Sequence, residues 1–442
     1  MSEAGAGDSG KLKQGVSLLG IVTLGAGTAI GVSIFSVIAP GATLAGSGIL
    51  LSLVIAGLPM ILFAVTYAYM GSAVPVSGAS YEWSRRFIHP FAGFIVGWLR
   101  IAGSTAALVV LSMVLVQYWS MAFALPLKPT IIALLGLFYV LNTLGVSLVT
   151  GGQTFMVILL LATCALLTGS ALPLADSANF SPLLTHGWAG VLAAVPLMVS
   201  LFLGIETATE VGEEVRDSRR TIPLGIALSI LLTTVIYLLV AGAAIGVLGP
   251  AALGASDAPL LELANRTLGP AGTPLVLLSA TVAIGTSLNA IFLIFSRSLF
   301  AMSRGGILPA PLSRVHRRWG TPHLATTTVF ALCCAGLLLP SNLVFLFLAV
   351  NIPTLLKYGS TCVAAFLVVR RHPAVHEGAA FRFRPAVMQV WALAGAACAL
   401  AVILLGLAAD WQPYAVLAGW ALAGVLWYVI RNRSRERGAP GA

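Results

Sequence analysis

The chain has 442 residues, of which 59% are hydrophobic and only 9% are Asp, Glu, Lys or Arg. A soluble globular protein carries about 25% charged residues, so this composition excludes an ordinary soluble fold. The mean hydropathy is +0.99, and the length leaves room for roughly a dozen helical spans of about 20 residues each. We therefore predict an all-α, polytopic membrane protein.

Apolar segments follow one another along most of the chain. The polar N-terminal stretch lacks the small-residue cleavage pattern of a signal peptide, so we expect the first apolar segment to be retained as a span. Twelve such segments occupy about residues 16–42, 47–73, 90–120, 129–150, 153–173, 188–210, 222–248, 272–303, 324–340, 342–370, 387–408 and 412–430. We therefore predict twelve transmembrane helices.

The net charge of +10 could indicate a nucleic-acid partner, but the position of the charges favours another reading. With the N-terminus inside, almost every Lys and Arg falls in a cytoplasmic connection, and the external connections hold only Lys128 and Arg266. This is the positive-inside distribution of inner-membrane proteins. It predicts cytoplasmic termini, contact with anionic membrane lipid and no nucleic-acid partner.

Two spans contain a stretch that is unlike a regular helix. Gly25–Phe35 is rich in glycine in the middle of the first span, and Ser200–Thr207 follows Pro196 in the sixth. Within a bilayer, irregular backbone is tolerated only where it lines a cavity, although glycines can also serve close helix packing. Interruptions at matched positions predict an inverted-repeat transporter.

The predicted parts of the chain are a tail at 1–15, repeats at 16–173 and 188–370, two further helices at 387–430 and a basic tail at 431–442.

Motifs of one family occur in order along the chain. Tyr67–Tyr81 reads YAYMGSAVPVSGASY, Pro90–Trp98 begins the third span, Glu206–Pro223 reads ETATEVGEEVRDSRRTIP, and Ser296–Arg304 reads SRSLFAMSR before Gly320-Thr321-Pro322. These segments resemble the second-helix, third-helix, sixth-helix and eighth-helix signatures of the amino acid–polyamine–organocation (APC) superfamily of permeases. They extend from about residue 16 to about residue 325.

The resemblance implies a LeuT-like fold, in which two inverted five-helix repeats with broken helices 1 and 6 are followed by two more helices. It implies secondary amino-acid transport by alternating access, without enzymatic activity or a cofactor. Donors at one end and acceptors at the other would hold a zwitterion without a buried side-chain charge. The implied substrate site has carboxylate-binding amides at Gly31, Val32 and Ser33, amine-binding carbonyls at Ala29, Ile30, Phe202 and Leu203, and further contacts at Ser200, Gly204 and Glu206.

The sequence departs from the family pattern at the site itself. Ser33 replaces a glycine, so it either narrows the pocket or supplies a hydroxyl to the substrate. Ser200 stands where many members place a bulky aromatic gate, which leaves gating to Phe202 or to another residue. Away from the site, Tyr69 stands where the second-helix pattern has Glu.

Ionisable residues at membrane depth are functional candidates, because their burial is costly. Glu206 could cap a half-helix or handle a proton in gating, and Glu210 approaches the inner mouth. Lys357 could replace the fifth-helix lysine of some proton-coupled members, since Leu160 stands near that place, or it could snorkel to a surface. Arg100 could reach back to the headgroups.

Several alternatives remain open at this stage. No Asp lies in mid-span, which favours proton coupling or exchange over sodium coupling, although hydroxyls and carbonyls can bind sodium. Asn289 is expected to form an interhelical hydrogen bond. A polyamine or simple amine transporter would need more cavity carboxylates than Glu206, and a membrane scaffold or sensor would need a signalling domain. No nucleophile–base pair or metal cluster indicates an enzyme.

Overall fold

The computed structural model describes residues 17–76, 79–144, 149–204, 209, 217–340 and 342–438. Within these ranges, residues 23, 24, 27, 28, 31, 32, 149–156, 218, 219, 301 and 432–438 are described by their backbone alone. The described chain folds into helices joined by turns and contains no strand. The prediction of an all-α protein is therefore confirmed.

The helices vary widely in length, from five residues in a connection to 33 residues in the longest. Those of ten residues or more are α1 (Leu18–Ser33), α3 (Ile49–Ala73), α5 (Pro90–Ser120), α6 (Leu127–Thr143), α7 (Val149–Ala171), α8 (Gly187–Met198), α9 (Ser218–Leu248), α11 (Pro259–Leu268), α12 (Gly272–Arg304), α13 (His323–Gly336), α14 (Leu343–Arg371), α16 (Pro385–Gly406) and α17 (Gln412–Gly438). The shorter ones are α2 (Ile38–Ala45), α4 (Ala79–Trp83), α10 (Pro250–Ala255) and α15 (Pro373–Gly378).

Eight stretches of the described chain are long and apolar enough to cross a membrane. They are Ile38–Ala73, Pro90–Ser120, Val157–Leu174, Arg220–Leu248, Pro259–Arg304, Leu343–Arg371, Pro385–Gly406 and Gln412–Arg431. Three shorter apolar helices, Leu127–Thr143, Gly187–Phe202 and His323–Gly336, accompany them. These lengths and compositions agree with a multi-pass membrane protein.

Helix α14 lies at the centre of the packing and contacts both α5 and α16 along its length. Helix α9 packs on α3 and on α1, and α12 packs on α5. Large aromatic side chains fill the space between these helices, and Tyr67, Tyr118, Tyr237 and Tyr358 are fully buried. Because a hydroxyl needs a hydrogen-bond partner when it is buried, each of these tyrosines fixes a polar contact as well as filling volume.

A reciprocal pair of indoles joins α17 to α5. Trp98 Nε1 donates to the carbonyl of Trp420 over 2.8 Å, and Trp420 Nε1 donates to the carbonyl of Trp98 over 3.0 Å. Their rings stack with centroids 4.9 Å apart. Gly424 makes this approach possible, since a Cβ atom there would lie 2.5 Å from Trp98 Cδ1.

This contact predicts that Gly424→Ala destabilises the protein, because the rigid indole of Trp98 cannot move away without losing its hydrogen bond. We expect a loss of about 1–3 kcal/mol, the usual cost of overpacking. Thermal unfolding of the detergent-purified protein measures it. Gly419→Ala, on the same helix, is the matched control because no atom lies within 4 Å of its added Cβ. Equal melting temperatures for the two variants would contradict the proposed packing.

Candidate functional site

The first helix interruption lies between α1 and α2. Helix α1 ends at Ser33 and α2 begins at Ile38. In the turn between them, the N–H groups of Ser36 and Val37 both donate to the carbonyl of Ser33, over 3.1 and 3.0 Å. The helical pattern continues through Ile34, whose N–H donates to Ile30. The interruption therefore falls after the last glycine of the predicted stretch, Gly31, at its C-terminal end. Glycine permits irregular backbone without requiring it.

The second interruption follows α8. Val199–Phe202 form a tight 3₁₀ turn, and Leu203 is extended, with φ −67° and ψ 133°. Gly204 has φ +104°, a conformation that side-chain-bearing residues rarely adopt. Pro196 lies inside α8 one turn earlier. The chain thus leaves α-helical geometry at Val199–Gly204, which overlaps the predicted stretch Ser200–Thr207; residues 205–207 of that stretch lie outside the described residues.

The two interruptions touch each other. The hydroxyl of Ser33 donates to the carbonyl of Ser200 over 2.7 Å, and both residues are buried. The Ser33 hydroxyl thus has a partner in the protein backbone, and its two predicted roles towards the substrate stay predictions. This hydrogen bond ties the end of α1 to the turn after α8.

Asn351, on α14, completes the junction. Its amide Nδ2 donates to the carbonyl of Pro196 over 2.6 Å and to the hydroxyl of Ser200 over 2.7 Å, and the residue is fully buried. Pro196 cannot supply a backbone N–H, so the helix around it has weakened internal bonding. Asn351 therefore stabilises the distorted end of α8. Sequence reasoning missed it, although a lone Asn beside Pro353 in an apolar span was a possible signal.

Two buried tyrosines hold the backbone of the first interruption. Tyr118 OH, on α5, donates to the carbonyl of Phe35 over 2.9 Å, and Tyr237 OH, on α9, donates to the carbonyl of Ala29 over 2.7 Å. Tyr118 also packs edge-on against Phe35. The Tyr118 hydroxyl pairs with a carbonyl of the interruption itself, and the Tyr237 hydroxyl adds a second donor to a carbonyl in the last turns of α1. Sequence reasoning did not single out either tyrosine.

Comparison with known proteins identifies the type of protein that carries this junction. The chain matches the amino acid permease family over residues 16–430. It belongs to that family. Permeases of this family are transporters and fall within the superfamily that the motifs resembled, so the predictions of a transporter and of no enzymatic activity are confirmed.

Individual relatives agree with this assignment. An uncharacterized transporter of Mycobacterium tuberculosis is 34% identical over 74% of each chain. The branched-chain amino acid permease BcaP of Bacillus subtilis is 28% identical over 96% of the permease described here and 94% of its own length. A methylthioribose transporter of the same organism is 26% identical over 97% and 95%, respectively.

The remaining predicted site residues lie along the two interruptions of the permease. Ala29 and Ile30 are buried near the end of α1, and Gly31 and Val32 have helical backbones there. At the second interruption Phe202 is buried, with its ring 6.3 Å from that of Tyr237, whereas Leu203 and Gly204 are half-buried. Glu206 and Glu210 lie outside the described residues.

Lys357 and Arg100 do not lie at the interruptions. Lys357 is six residues after Asn351 on α14, which is roughly 9 Å along the helix axis. It is only 8% exposed, and its ammonium lies 5.1 Å from the centroid of the Tyr358 ring. Arg100 is half-buried on α5. The position of Lys357 is thus inside the bundle but about two helical turns from the junction.

Other polar side chains join helices around the site. Leu160 is buried on α7, and three residues later the hydroxyl of Thr163 pairs with that of Ser279 on α12 at 2.7 Å. Asn142 Nδ2 donates to Asn289 Oδ1 over 2.9 Å, which links α6 to α12. Asn289 therefore makes the interhelical hydrogen bond that its sequence position favoured.

Tyr69 has a structural partner beyond the end of α14. Its hydroxyl lies 3.1 Å from Nδ1 of His376, on α15. Burial lowers the pKa of His376, and the nearby Arg382 lowers it further. The contact between the Tyr69 phenol and the His376 imidazole joins the connection between α14 and α16 to α3. Tyr69 therefore has a partner at this position, where the family pattern has Glu.

The tyrosine contacts predict that Tyr118→Phe and Tyr237→Phe each lower the free energy of unfolding. The Tyr118 variant leaves the carbonyl of Phe35 without its side-chain donor, which costs about 1–3 kcal/mol, whereas the Tyr237 variant removes one bond to a carbonyl inside α1, which costs about 0.5–1.5 kcal/mol. Thermal unfolding measures the loss, and binding of a transported amino acid should weaken with it. Tyr139→Phe is the control, because the Tyr139 hydroxyl contacts Thr327 at 3.3 Å in an exposed position. A Tyr139→Phe variant as unstable as the other two would refute this account.

Proposed function

We propose that this permease is a secondary transporter of amino acids, favouring those with apolar side chains, and that it works by alternating access around the two interruptions. The observation that carries the proposal is the direct contact between Ser33 and Ser200, which brings the two broken helices together deep in the bundle. The buried side chains beside it, Ile30 and Phe202, are apolar. BcaP, whose printed name is branched-chain amino acid permease, aligns with 96% of this chain.

The chemistry of helix ends supports a zwitterionic substrate. The last turn of a helix presents carbonyls and the first turn presents N–H groups, with the corresponding partial charges. We place the substrate amine at the carbonyls that end α1 and at those of the turn after α8. We place the carboxylate at the backbone of the first interruption, which joins the end of α1 at Ser33 to the start of α2 at Ile38.

The arrangement of apolar helices supports a twelve-span inverted repeat. Counting α1 with α2 as one broken span gives α1/α2, α3, α5, α6 and α7 for the first repeat, and α8, α9, α12, α13 and α14 for the second. Helices α16 and α17 are then the two additional spans. The interruptions fall in the first span of each repeat, which is the expected place for a binding site in this architecture. The positive-inside distribution supports cytoplasmic termini in an inner membrane.

We further propose coupling to protons or exchange of substrates, rather than sodium symport. No Asp lies in mid-span, and hydroxyls of α12 make hydrogen bonds inside the protein. Ser287 donates to Ala283, Thr286 to Val282 and Ala283, and Ser279 pairs with Thr163. A buried lysine at 357 offers a cation that belongs to the protein, in place of a bound metal ion.

Counterflow in proteoliposomes tests the transport function. Vesicles preloaded with unlabelled leucine, isoleucine or valine should accelerate uptake of the labelled amino acid, whether the external salt is sodium or choline chloride. Ser33→Leu should abolish this exchange, because its larger side chain cannot fit at the buried junction. Preloading with putrescine or spermidine is the control. Exchange of these amines without exchange of any amino acid would refute the proposal and favour an amine transporter.

The proposed role of Lys357 predicts that its substitution impairs accumulation of the substrate but leaves exchange of the substrate intact. Lys357→Gln should keep counterflow near the wild-type rate but lose uptake driven by an inward proton gradient, because the cation that stands in place of a bound metal ion is gone. Lys357→Arg keeps a positive charge at this position and should retain more of that uptake than Lys357→Gln. Accumulation by Lys357→Gln at the wild-type level would show that Lys357 only reaches towards a membrane surface.

A further inference from the structure

A second cavity lies away from the interruptions, on the side of the bundle formed by α5, α13, α14 and α17. This groove has a volume of about 370 Å³ and is open along one side. Its walls include Ala106 on α5, Ala335 on α13, Ala349 on α14 and Ala423 on α17. Small side chains facing one another from four helices leave the space open. The volume is within the range of ligand-binding cavities.

The chemistry of the groove differs from that of the substrate site. The polar side chains that line it are Thr105 and Trp420, and each already has a partner. The Thr105 hydroxyl donates to Ile101 over 2.9 Å, and the Trp420 indole donates to Trp98. The groove therefore offers a zwitterion no side-chain donor that is not already used. Its lining suits an aliphatic chain.

The groove lies within membrane-spanning stretches, so hydrocarbon is the medium that surrounds it. At one end it adjoins a smaller cavity that shares Val109, Gly336 and Leu339 with it. Lys128 lines this smaller cavity from the first turn of α6, and its side chain is exposed. A positive charge at the mouth of an apolar groove is complementary to an anionic headgroup with an attached acyl chain.

From this arrangement we propose that the permease binds one anionic phospholipid, with an acyl chain in the groove between α5, α13, α14 and α17 and its phosphate beside Lys128. The lipid would be a bound component of the protein rather than a transported substrate. It would fill a space that separates α17 from α13 while leaving the Trp98–Trp420 contact in place. The inference does not depend on which molecule the permease transports.

Native mass spectrometry of the full-length permease in detergent tests the proposal. The protein is titrated with palmitoyl-oleoyl phosphatidylglycerol or phosphatidylcholine, and the first bound lipid is quantified. We expect saturable binding with a preference of about fivefold for phosphatidylglycerol, the factor associated with one basic residue near an anionic surface. Lys128→Gln should abolish the preference and leave binding of both lipids, whereas Lys128→Arg should keep it.

A larger side chain placed in the groove provides a second test of the proposal. Ala423→Phe should weaken binding of both lipids about tenfold, as expected if the ring displaces roughly two methylene groups of the chain. Ala418→Phe is the matched control, because Ala418 is an exposed alanine of the same helix that does not line the groove. Equal lipid binding by the two variants would overturn the proposal. It would also be overturned if Ala423→Phe left lipid binding intact and instead changed a dimer into a monomer.

Discussion

The structure depends on one constraint, which is that no water in the bilayer core is available to pair with backbone N–H and C=O groups. A helix that is interrupted inside the bundle must find partners for these groups from elsewhere in the protein. Here the partners are side chains on other helices: Ser33, Asn351, Tyr118 and Tyr237 all donate to carbonyls at or beside the interruptions. The permease therefore keeps unwound backbone at its centre only because four different helices contribute donors to it.

The sequence predicts the general architecture well because its strongest signals are local. Apolar runs indicate spans, and the pairing of Gly25–Phe35 with Ser200–Thr207 indicates where regular helix should fail. It is less informative about the residue at which the failure occurs. Glycine lowers the cost of irregular backbone without setting its position, and α1 remains helical through Ser33. The helix ends where Ser33 and Phe35 contact other parts of the fold: the Ser33 hydroxyl donates to the carbonyl of Ser200, and the Phe35 carbonyl accepts from Tyr118.

The side chains that donate to carbonyls at the interruptions were harder to predict, because tertiary structure also decides which carbonyls they reach. Asn351, Tyr118 and Tyr237 lie far from the interruptions along the chain, and nothing in their immediate sequence context says which carbonyls they reach. Buried tyrosines in an apolar helix are usually explained by packing alone. Their polar role becomes visible only when the helices are placed together. By contrast, Asn289 could be assigned to a helix contact from sequence, because an amide in mid-span needs some partner whatever the fold.

The bond between Ser33 and Ser200 bears on how this permease can change conformation. A glycine at position 33 would have no hydroxyl with which to join the two interruptions. The serine adds a hydrogen bond of 2.7 Å between them that needs no substrate. Such a bond stabilises the arrangement in which both interruptions are in contact, so any state that separates them must replace it. Since an unpaired buried hydroxyl costs about 1–3 kcal/mol, the replacement has to come from water entering the opened site or from the substrate itself. In the proposed alternating-access mechanism, substrate binding and opening would be coupled through the same hydroxyl, and the departure from the family's glycine would have this functional consequence.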